Sequence, residues 1–297
     1  MRARILYLAL PVLLGVFIVP APSWAHGFAG KRFFPTTFQV DDPFISDEFS
    51  ILINAIKQPG DAPNDSTEIN IDASKRLLPH FGFEFHEAYQ HLGSSNDGSA
   101  NGWETFGVGA KWQFLTDEKH EAIMSLGTDL DVGGTGARQL GSEPFTTISP
   151  GLFFGKGMGD LPDSVNFLQP VAITGLIQPS FPTKNGEEGD LNWGFTFQYS
   201  FIYLEDFVKD IGLGQPFKRM IFITEFPMTT CLDSGCAGHT TGTVNPGIVW
   251  AGKSAELGVA AEIPVNSGSG HSVGVLGLVH LFVDDLFPQS LGKPVFR

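Results

Sequence analysis

Trp193-Gly194-Phe195-Thr196-Phe197-Gln198-Tyr199-Ser200-Phe201 places an aromatic side chain at every odd position and a small or polar residue at every even one. Successive side chains of a β-strand point to opposite faces, so a strand here has one wholly aromatic face. The same alternation runs through 67–76, 80–90, 103–114 and 255–265. Repeated alternation of this length predicts an all-β fold whose strands carry one apolar and one polar face.

Strand candidates recur along most of the chain. Most of them have the roughly 9–11 residues with which a tilted strand crosses a bilayer. Four of them, 146–156, 165–178, 218–227 and 241–252, alternate only weakly. The twelve predicted strands are 48–56, 67–76, 80–90, 103–114, 119–132, 146–156, 165–178, 191–204, 218–227, 241–252, 255–265 and 272–283.

The predicted connections sort by length. Odd-numbered ones such as 133–145 are long and rich in Gly, Ser, Asn, Asp and Pro, whereas even-numbered ones such as 77–79 are short. Two even-numbered connections, 157–164 and 205–217, are longer, and the second contains a predicted short helix at Glu205–Asp210. Outer-membrane barrels have short periplasmic turns and longer external loops. The pattern therefore favours a single antiparallel transmembrane β-barrel of about twelve strands over the alternative, a soluble sandwich.

The first 25 residues have the pattern of a secretory signal peptide, with an uncleaved anchor as the alternative. Arg2 and Arg4 precede an apolar stretch, and Ser23-Trp24-Ala25 places small residues three and one before a cleavage site. No later stretch reaches ~18 uninterrupted apolar residues. The predicted organisation is a signal peptide at 1–25, an irregular segment and candidate lumen plug at 26–46, a barrel at 47–284 and a periplasmic tail at 285–297.

Composition excludes several classes of protein. The 297 residues include 32 acidic and 18 basic side chains, and this net charge of −14 opposes binding to nucleic acid. A content of 42% hydrophobic residues excludes a disordered chain, and two cysteines exclude a disulfide-rich scaffold. The expected partners are outer-membrane lipid, small-molecule solutes and the outer-membrane assembly machinery, without nucleic acid, cofactor or metal.

Charged residues fall opposite the aromatic faces, as expected for a wet lumen and a lipid-facing exterior. Carboxylates outnumber cations on this face, which predicts a narrow acidic lumen with cation preference. Aromatic-rich strands equally fit a path for small hydrophobic compounds. The candidate lumen-facing residues are Glu68, Asp72, Arg76, Glu84, His86, Lys111, Asp129, Asp131, Arg219, Glu225, Glu256 and Glu262.

Two stretches resemble a known family. Asn101-Gly102-Trp103-Glu104-Thr105-Phe106-Gly107-Val108-Gly109-Ala110-Lys111-Trp112-Gln113-Phe114 resembles a recurring strand of the meta-pathway phenol-degradation family of outer-membrane β-barrel transporters. Gly155-Lys156-Gly157-Met158-Gly159-Asp160-Leu161-Pro162 is similar to another such segment. The resemblance covers roughly 80–280 and implies a barrel in the bacterial outer membrane that passes small, often hydrophobic compounds. It implies no catalytic residue.

Hydrolysis and a closed structural or surface barrel remain the alternatives to a channel. Gly270-His271-Ser272-Val273-Gly274 matches the nucleophile-elbow pattern, but it lies where a loop enters a strand and no helix follows. His91 precedes Ser95 by four residues, whereas outer-membrane phospholipases and lipid A deacylases place the two residues two apart. We therefore predict no enzyme and no catalytic residue, with a serine-dependent lipid hydrolase as the alternative.

The only two cysteines lie close together in a predicted external loop. Cys231 and Cys236 flank Leu-Asp-Ser-Gly. Because export leads through an oxidising compartment, the pair is predicted to form a small disulfide ring.

Overall fold

The computed structural model describes residues 27–56, 65–93, 99–233, 235–236 and 238–296. The predicted signal peptide and Ser95 lie outside these residues. Within them, no helix is both long enough and apolar enough to cross a membrane.

The described chain is dominated by one closed antiparallel sheet. β6 and β7 both pair with β5 and form one interrupted strand, and β15 pairs with β3 to close the ring. The predicted twelve-stranded barrel is thereby confirmed. The strands are β1 (Phe28–Ala29), β2 (Arg32–Phe33), β3 (Glu48–Ile56), β4 (Asp65–Leu78), β5 (Phe81–Gly93), β6 (Ala100–Trp103), β7 (Gly107–Asp117), β8 (Ala122–Asp131), β9 (Thr147–Gly157), β10 (Val171–Pro182), β11 (Asp190–Ser200), β12 (Met220–Cys231), β13 (Thr240–Ala251), β14 (Ala255–Pro264) and β15 (Gly274–Phe282).

Among the described residues, helical structure is confined to short connections and the C-terminal tail. The predicted helix at Glu205–Asp210 begins earlier, because Ser200 ends β11 and its side chain accepts a hydrogen bond from the Tyr203 backbone N–H at 3.2 Å. The predicted strand 165–178, in contrast, begins later than expected, at Val171, because a helical turn precedes it. The helical elements are α1 (Phe201–Tyr203), which continues as a π-helical turn (Leu204–Val208), α2 (Val283–Leu286), and 3₁₀ turns at Arg138–Leu140, Asp163–Leu168, Phe217–Arg219 and Ser267–Ser269.

The two ends of the barrel differ. One end, here called the turn rim, carries the connections 79–80, 118–121, 158–170, 201–219 and 252–254 together with the C-terminal tail. The opposite end, the loop rim, carries the 132–146, 183–189 and 265–273 connections. The tail folds back onto the turn rim, where the Val295 and Phe296 backbone N–H groups donate to the carbonyls of Arg76 and Leu77.

The disulfide predicted from the sequence is confirmed at the loop rim. Cys231 and Cys236 are joined across a Cα–Cα distance of 5.7 Å. The bond closes a small loop at the end of β12, so its effect is local.

The outward face of the barrel is apolar. Trp112, Phe197, Phe222 and Val275 lie on different strands and are all 44–55% exposed. Leaving side chains of this size in contact with water would be unfavourable, whereas a hydrocarbon surrounding satisfies them. The exterior therefore has the surface of a membrane-embedded barrel.

An N-terminal segment, residues 27–47, runs inside the ring. Its residues 34–46, here called the inner loop, pack against inward side chains of strands on all sides of the ring. Phe38 packs with Leu52 and Val249, whereas Val40 packs with Phe153 and Leu176. Both ends of the loop lie at the turn rim, and Gln39 and Asp41 near its tip are exposed. The loop thus enters and leaves the lumen through the same end.

The inner loop explains why some strands alternate weakly. Phe153 on β9 and Ile221, Ile223 and Val249 on β12 and β13 point inward and are at most 2% exposed. Most of their outward neighbours are also apolar because they face lipid. Both faces of these strands are therefore mostly apolar, one against the inner loop and one against the membrane, with inward polar exceptions such as Glu225 and Asn245.

Candidate functional site

One buried carboxylate holds the tip of the inner loop. Glu225 on β12 accepts hydrogen bonds from three successive backbone N–H groups, those of Phe38 at 2.6 Å, Gln39 at 2.8 Å and Val40 at 3.4 Å. The inner loop lacks strand partners for these donors, and a buried unpaired N–H is costly. Glu225 therefore replaces the missing sheet partner.

Two further glutamates of β14 act on the same loop. Glu256 accepts from the Thr36 backbone N–H at 2.9 Å, and Glu262 accepts from the Gln39 side-chain amide at 3.1 Å. Three of the predicted lumen residues are therefore ligands of the inner loop. Their contacts fix the path of that loop along the β12–β14 wall.

Lys111 bridges the inner loop to the opposite wall. Its ammonium lies 2.9 Å from Asp41 and 2.9 Å from Glu84, and it also donates to the Asp42 carbonyl at 3.1 Å. The same ammonium lies 4.7 Å from the centre of the Phe153 ring. Because the Lys111 side chain is only 2% exposed, these partners compensate for its loss of hydration.

A polar cavity of about 290 Å³ remains between the inner loop and the β3–β5 and β8 walls. His86 lies 3.3 Å from Asp131, and Asp129 accepts from the Gln178 amide. Lys111 does not line this cavity but lies behind its wall. The cavity is lined by six carboxylates, those of Asp41, Asp42, Glu48, Asp72, Glu84 and Asp129.

Two glycines of β7 make room for this cluster. A Cβ on Gly107 would collide with the His86 ring, and one on Gly109 would collide with the Asp129 carboxylate. Polar groups of β5 and β8 therefore approach each other across the β7 backbone. In the sequence this appears only as small residues on the polar face of a strand.

The remaining predicted lumen residues lie near the ends of the barrel. Arg76 is buried at the turn rim, 2.8 Å from Asp47 and 3.5 Å from Asp284. Arg219 precedes β12 and donates to the carbonyls of Ala251 and Gly252. Glu68 pairs with Asn54 and Gln90 in register on β4, toward the loop rim, and is half-buried.

A buried ion pair that sequence reasoning missed holds the start of the N-terminal segment. Arg32 donates to Glu121 at 3.2 Å and its guanidinium lies 3.8 Å from the centre of the Tyr203 ring. Tyr203 donates its hydroxyl to the other Glu121 oxygen at 2.7 Å. Burial and the Glu121 carboxylate raise the pKa of Tyr203 above its usual range, so its hydroxyl remains a donor.

A serine and a histidine also meet in the lumen wall. Ser50 Oγ lies 2.7 Å from His280 Nδ1, and His280 Nε2 lies 3.6 Å from Glu48. Ser50 and His280 are direct cross-strand partners, which places any such pair close together. The contact is therefore explained by sheet geometry. Ser95, the residue that was paired with His91 in the sequence analysis, lies outside the described residues.

No protein-family model and no curated protein matches the chain. Among solved structures, an outer membrane channel from Pseudomonas putida F1 is similar at 10% identity and a TM-score of 0.50, covering 84% of this chain and 99% of that one. The KdgM porin has 14% identity and a TM-score of 0.46, covering 78% and 98%. LpxR from Salmonella typhimurium has 12% identity and a TM-score of 0.42, covering 79% and 99%. The chain has the fold of an outer-membrane β-barrel.

Proposed function

We propose that the protein is an outer-membrane channel for small polar solutes, with a narrow lumen that prefers cations. The observation that carries the proposal is the cavity lined by six carboxylates beside the inner loop. The barrel fold shared with the Pseudomonas putida channel supports it. We further propose that the chain lies in the bacterial outer membrane, in contact with lipid, after export and insertion by the assembly machinery.

Cation preference follows from the fixed charge along the cavity. Carboxylates in a low-dielectric wall raise the local concentration of cations and repel anions. Asp41 and Asp131 keep 47% and 45% of their side chains exposed, so they face the aqueous part of the lumen. By contrast, Lys111 is shielded from that space.

The inner loop makes this channel narrow. A twelve-stranded barrel lies between the filled eight-stranded and the open sixteen-stranded types. Here apolar residues of the inner loop fill part of the lumen, and the polar cavity lies beside them. This arrangement favours small polar solutes over the small, often hydrophobic compounds that the phenol-degradation resemblance implies.

Single-channel recording in a planar bilayer tests the function. We expect small discrete steps in the current. In a salt gradient, we expect the reversal potential to have the sign that results when cations permeate more easily than anions. A folded protein that never conducts would contradict the channel and favour a closed structural barrel. Lipid hydrolysis by the same sample, abolished by Ser50→Ala or Ser95→Ala, would favour the hydrolase instead.

The lumen carboxylates provide a selectivity test. Neutralising Asp72, Asp129 and Asp131 to Asn removes three negative charges from the cavity side of the barrel. We expect the cation-to-anion permeability ratio to fall at least about threefold, because local potentials of several kT depend on these charges. The measurement is the reversal potential in a tenfold salt gradient.

The matched control removes the same charge elsewhere. Glu118→Gln, Glu143→Gln and Asp163→Asn neutralise three exposed carboxylates on the rims. This variant should keep the wild-type ratio. Equal effects of the two triple variants would show that overall charge, and not the cavity, sets the preference.

A further inference from the structure

A second, larger cavity opens at the turn rim, below the inner loop. This vestibule has a volume of about 750 Å³ and lies between the β1–β2 hairpin, the helical turn after β11 and the C-terminal tail. Five of its lining side chains are Lys or Arg and three are Asp. The vestibule therefore has the opposite charge balance to the chain as a whole, which has a net charge of −14.

The basic residues of the vestibule differ in how far they are already paired. Arg76 is buried against Asp47 and Asp284, and Arg219 donates to backbone carbonyls. Lys31 and Lys253 are exposed, and among the described residues neither has a carboxylate within ion-pair distance. These two ammonium groups are available to an incoming anion.

Aromatic rings contribute to the uncharged part of the vestibule wall. Phe33 on the hairpin lies 6.4 Å from Phe282 at the end of β15 in an edge-to-face arrangement. Phe207 lies 5.1 Å from Tyr203, and the Lys31 ammonium is 5.5 Å from the Phe207 ring centre. Phe207 is 48% exposed, so its ring is open to a ligand. A concave apolar wall with a few convergent polar groups is the usual form of a small-molecule site.

We propose that the vestibule binds an amphipathic anion, a molecule with a compact apolar body and a single carboxylate or phosphate head. The aromatic wall would take the body, since burying it removes apolar surface from water. Lys31 and Lys253 would take the head through charge-assisted hydrogen bonds. The site is separate from the carboxylate-lined cavity, and its binding chemistry does not depend on whether the lumen conducts.

Two sources supply such an anion. One is a small amphipathic acid in solution, and the other is the headgroup region of an anionic phospholipid at the edge of the barrel. Both place a negative head beside Lys31 and Lys253. The experiment therefore includes an arm for each source.

Isothermal titration of the purified full-length protein with 4-phenylbutyrate, and with its uncharged amide, tests the site. We expect a dissociation constant of about 100 μM for the acid and at least tenfold weaker binding of the amide. Lys31→Gln with Lys253→Gln should weaken acid binding at least tenfold, and Phe207→Ala should weaken the acid and the amide alike. Equal affinity for acid and amide, or an unchanged affinity in the lysine variant, would overturn the proposal.

Lys119→Gln with Lys209→Gln is the matched control, because both lysines are exposed on the turn rim and neither lines the vestibule. It should bind the acid as the wild type does. Repeating the titration in nanodiscs with and without phosphatidylglycerol separates the sources. Loss of acid binding with phosphatidylglycerol identifies a lipid headgroup as the occupant, and unchanged binding identifies the soluble acid. Heat-modifiable migration in gels verifies that each variant is folded.

Discussion

Replacing the twelve residues 34–45 by a short Gly-Ser linker should raise the single-channel conductance at least about tenfold, since an unfilled twelve-stranded barrel has room for an aqueous path. The inner loop supplies the buried side chains of Phe34, Phe38, Val40 and Phe44 to the lumen. Removing these four side chains opens the part of the lumen that they fill. The measurement is the step size of the refolded variant in a planar bilayer.

The control replaces a segment of the same length, twelve residues, outside the lumen. Residues 134–145 lie in the loop-rim connection between β8 and β9, and the same linker there should leave the conductance unchanged. An inner-loop variant that folds, as shown by its heat-modifiable migration, but conducts like the wild type would show that the inner loop does not restrict the path.

Substituting Arg32 by Met should lower the local stability of the β1–β2 hairpin by about 3–5 kcal/mol, the usual cost of leaving one partner of a buried ion pair alone. Arg32 is fully buried and holds Glu121 and the carbonyls of Gln169 and Pro170. Without it, the partners of the buried Glu121 carboxylate among the described residues are the Tyr203 hydroxyl and the Gly159 N–H. Hydrogen exchange of the amides of residues 28–34 measures the loss.

Two variants separate charge from packing in this prediction. Lys31→Met removes a neighbouring charge that is exposed, so exchange should stay as in the wild type. Arg32→Met with Glu121→Leu removes both charges of the ion pair and should recover part of the protection. If the double variant exchanges as fast as Arg32→Met alone, the unpaired carboxylate is not the cause.

The sequence predicts the outward face better than the inward one. Lipid is uniform, so most outward positions between the rims are apolar, and the alternation in 193–201 and 103–114 follows directly. The inward face depends on what fills the lumen. Strands that face water, such as β4, alternate clearly, whereas β9 and β12 face the inner loop and lose their polar side.

The ligands of the inner loop could be found only in part. Glu225 and Glu256 stand out because a carboxylate interrupts an apolar strand, but nothing in the sequence says that their partners are backbone N–H groups of residues 36–40. The sequence around Asp41 and Asp42 indicates only that they lie in a loop. Arg32 and Glu121 are separated by 89 positions, and no local pattern connects them.

The path of the inner loop also constrains the order in which the molecule can form. Residues 34–46 are synthesised and exported before any strand of the ring, yet Phe38 is 187 positions from Glu225 and Thr36 is 220 positions from Glu256. The inner loop can therefore form these contacts only after β12 and β14 have been exported. The continuation of the loop, β3, pairs with β15, so closure of the ring also joins the first strand of the sheet to the last one. Anchoring the inner loop on Glu256 and closing the ring through β15 therefore both depend on the C-terminal part of the sequence.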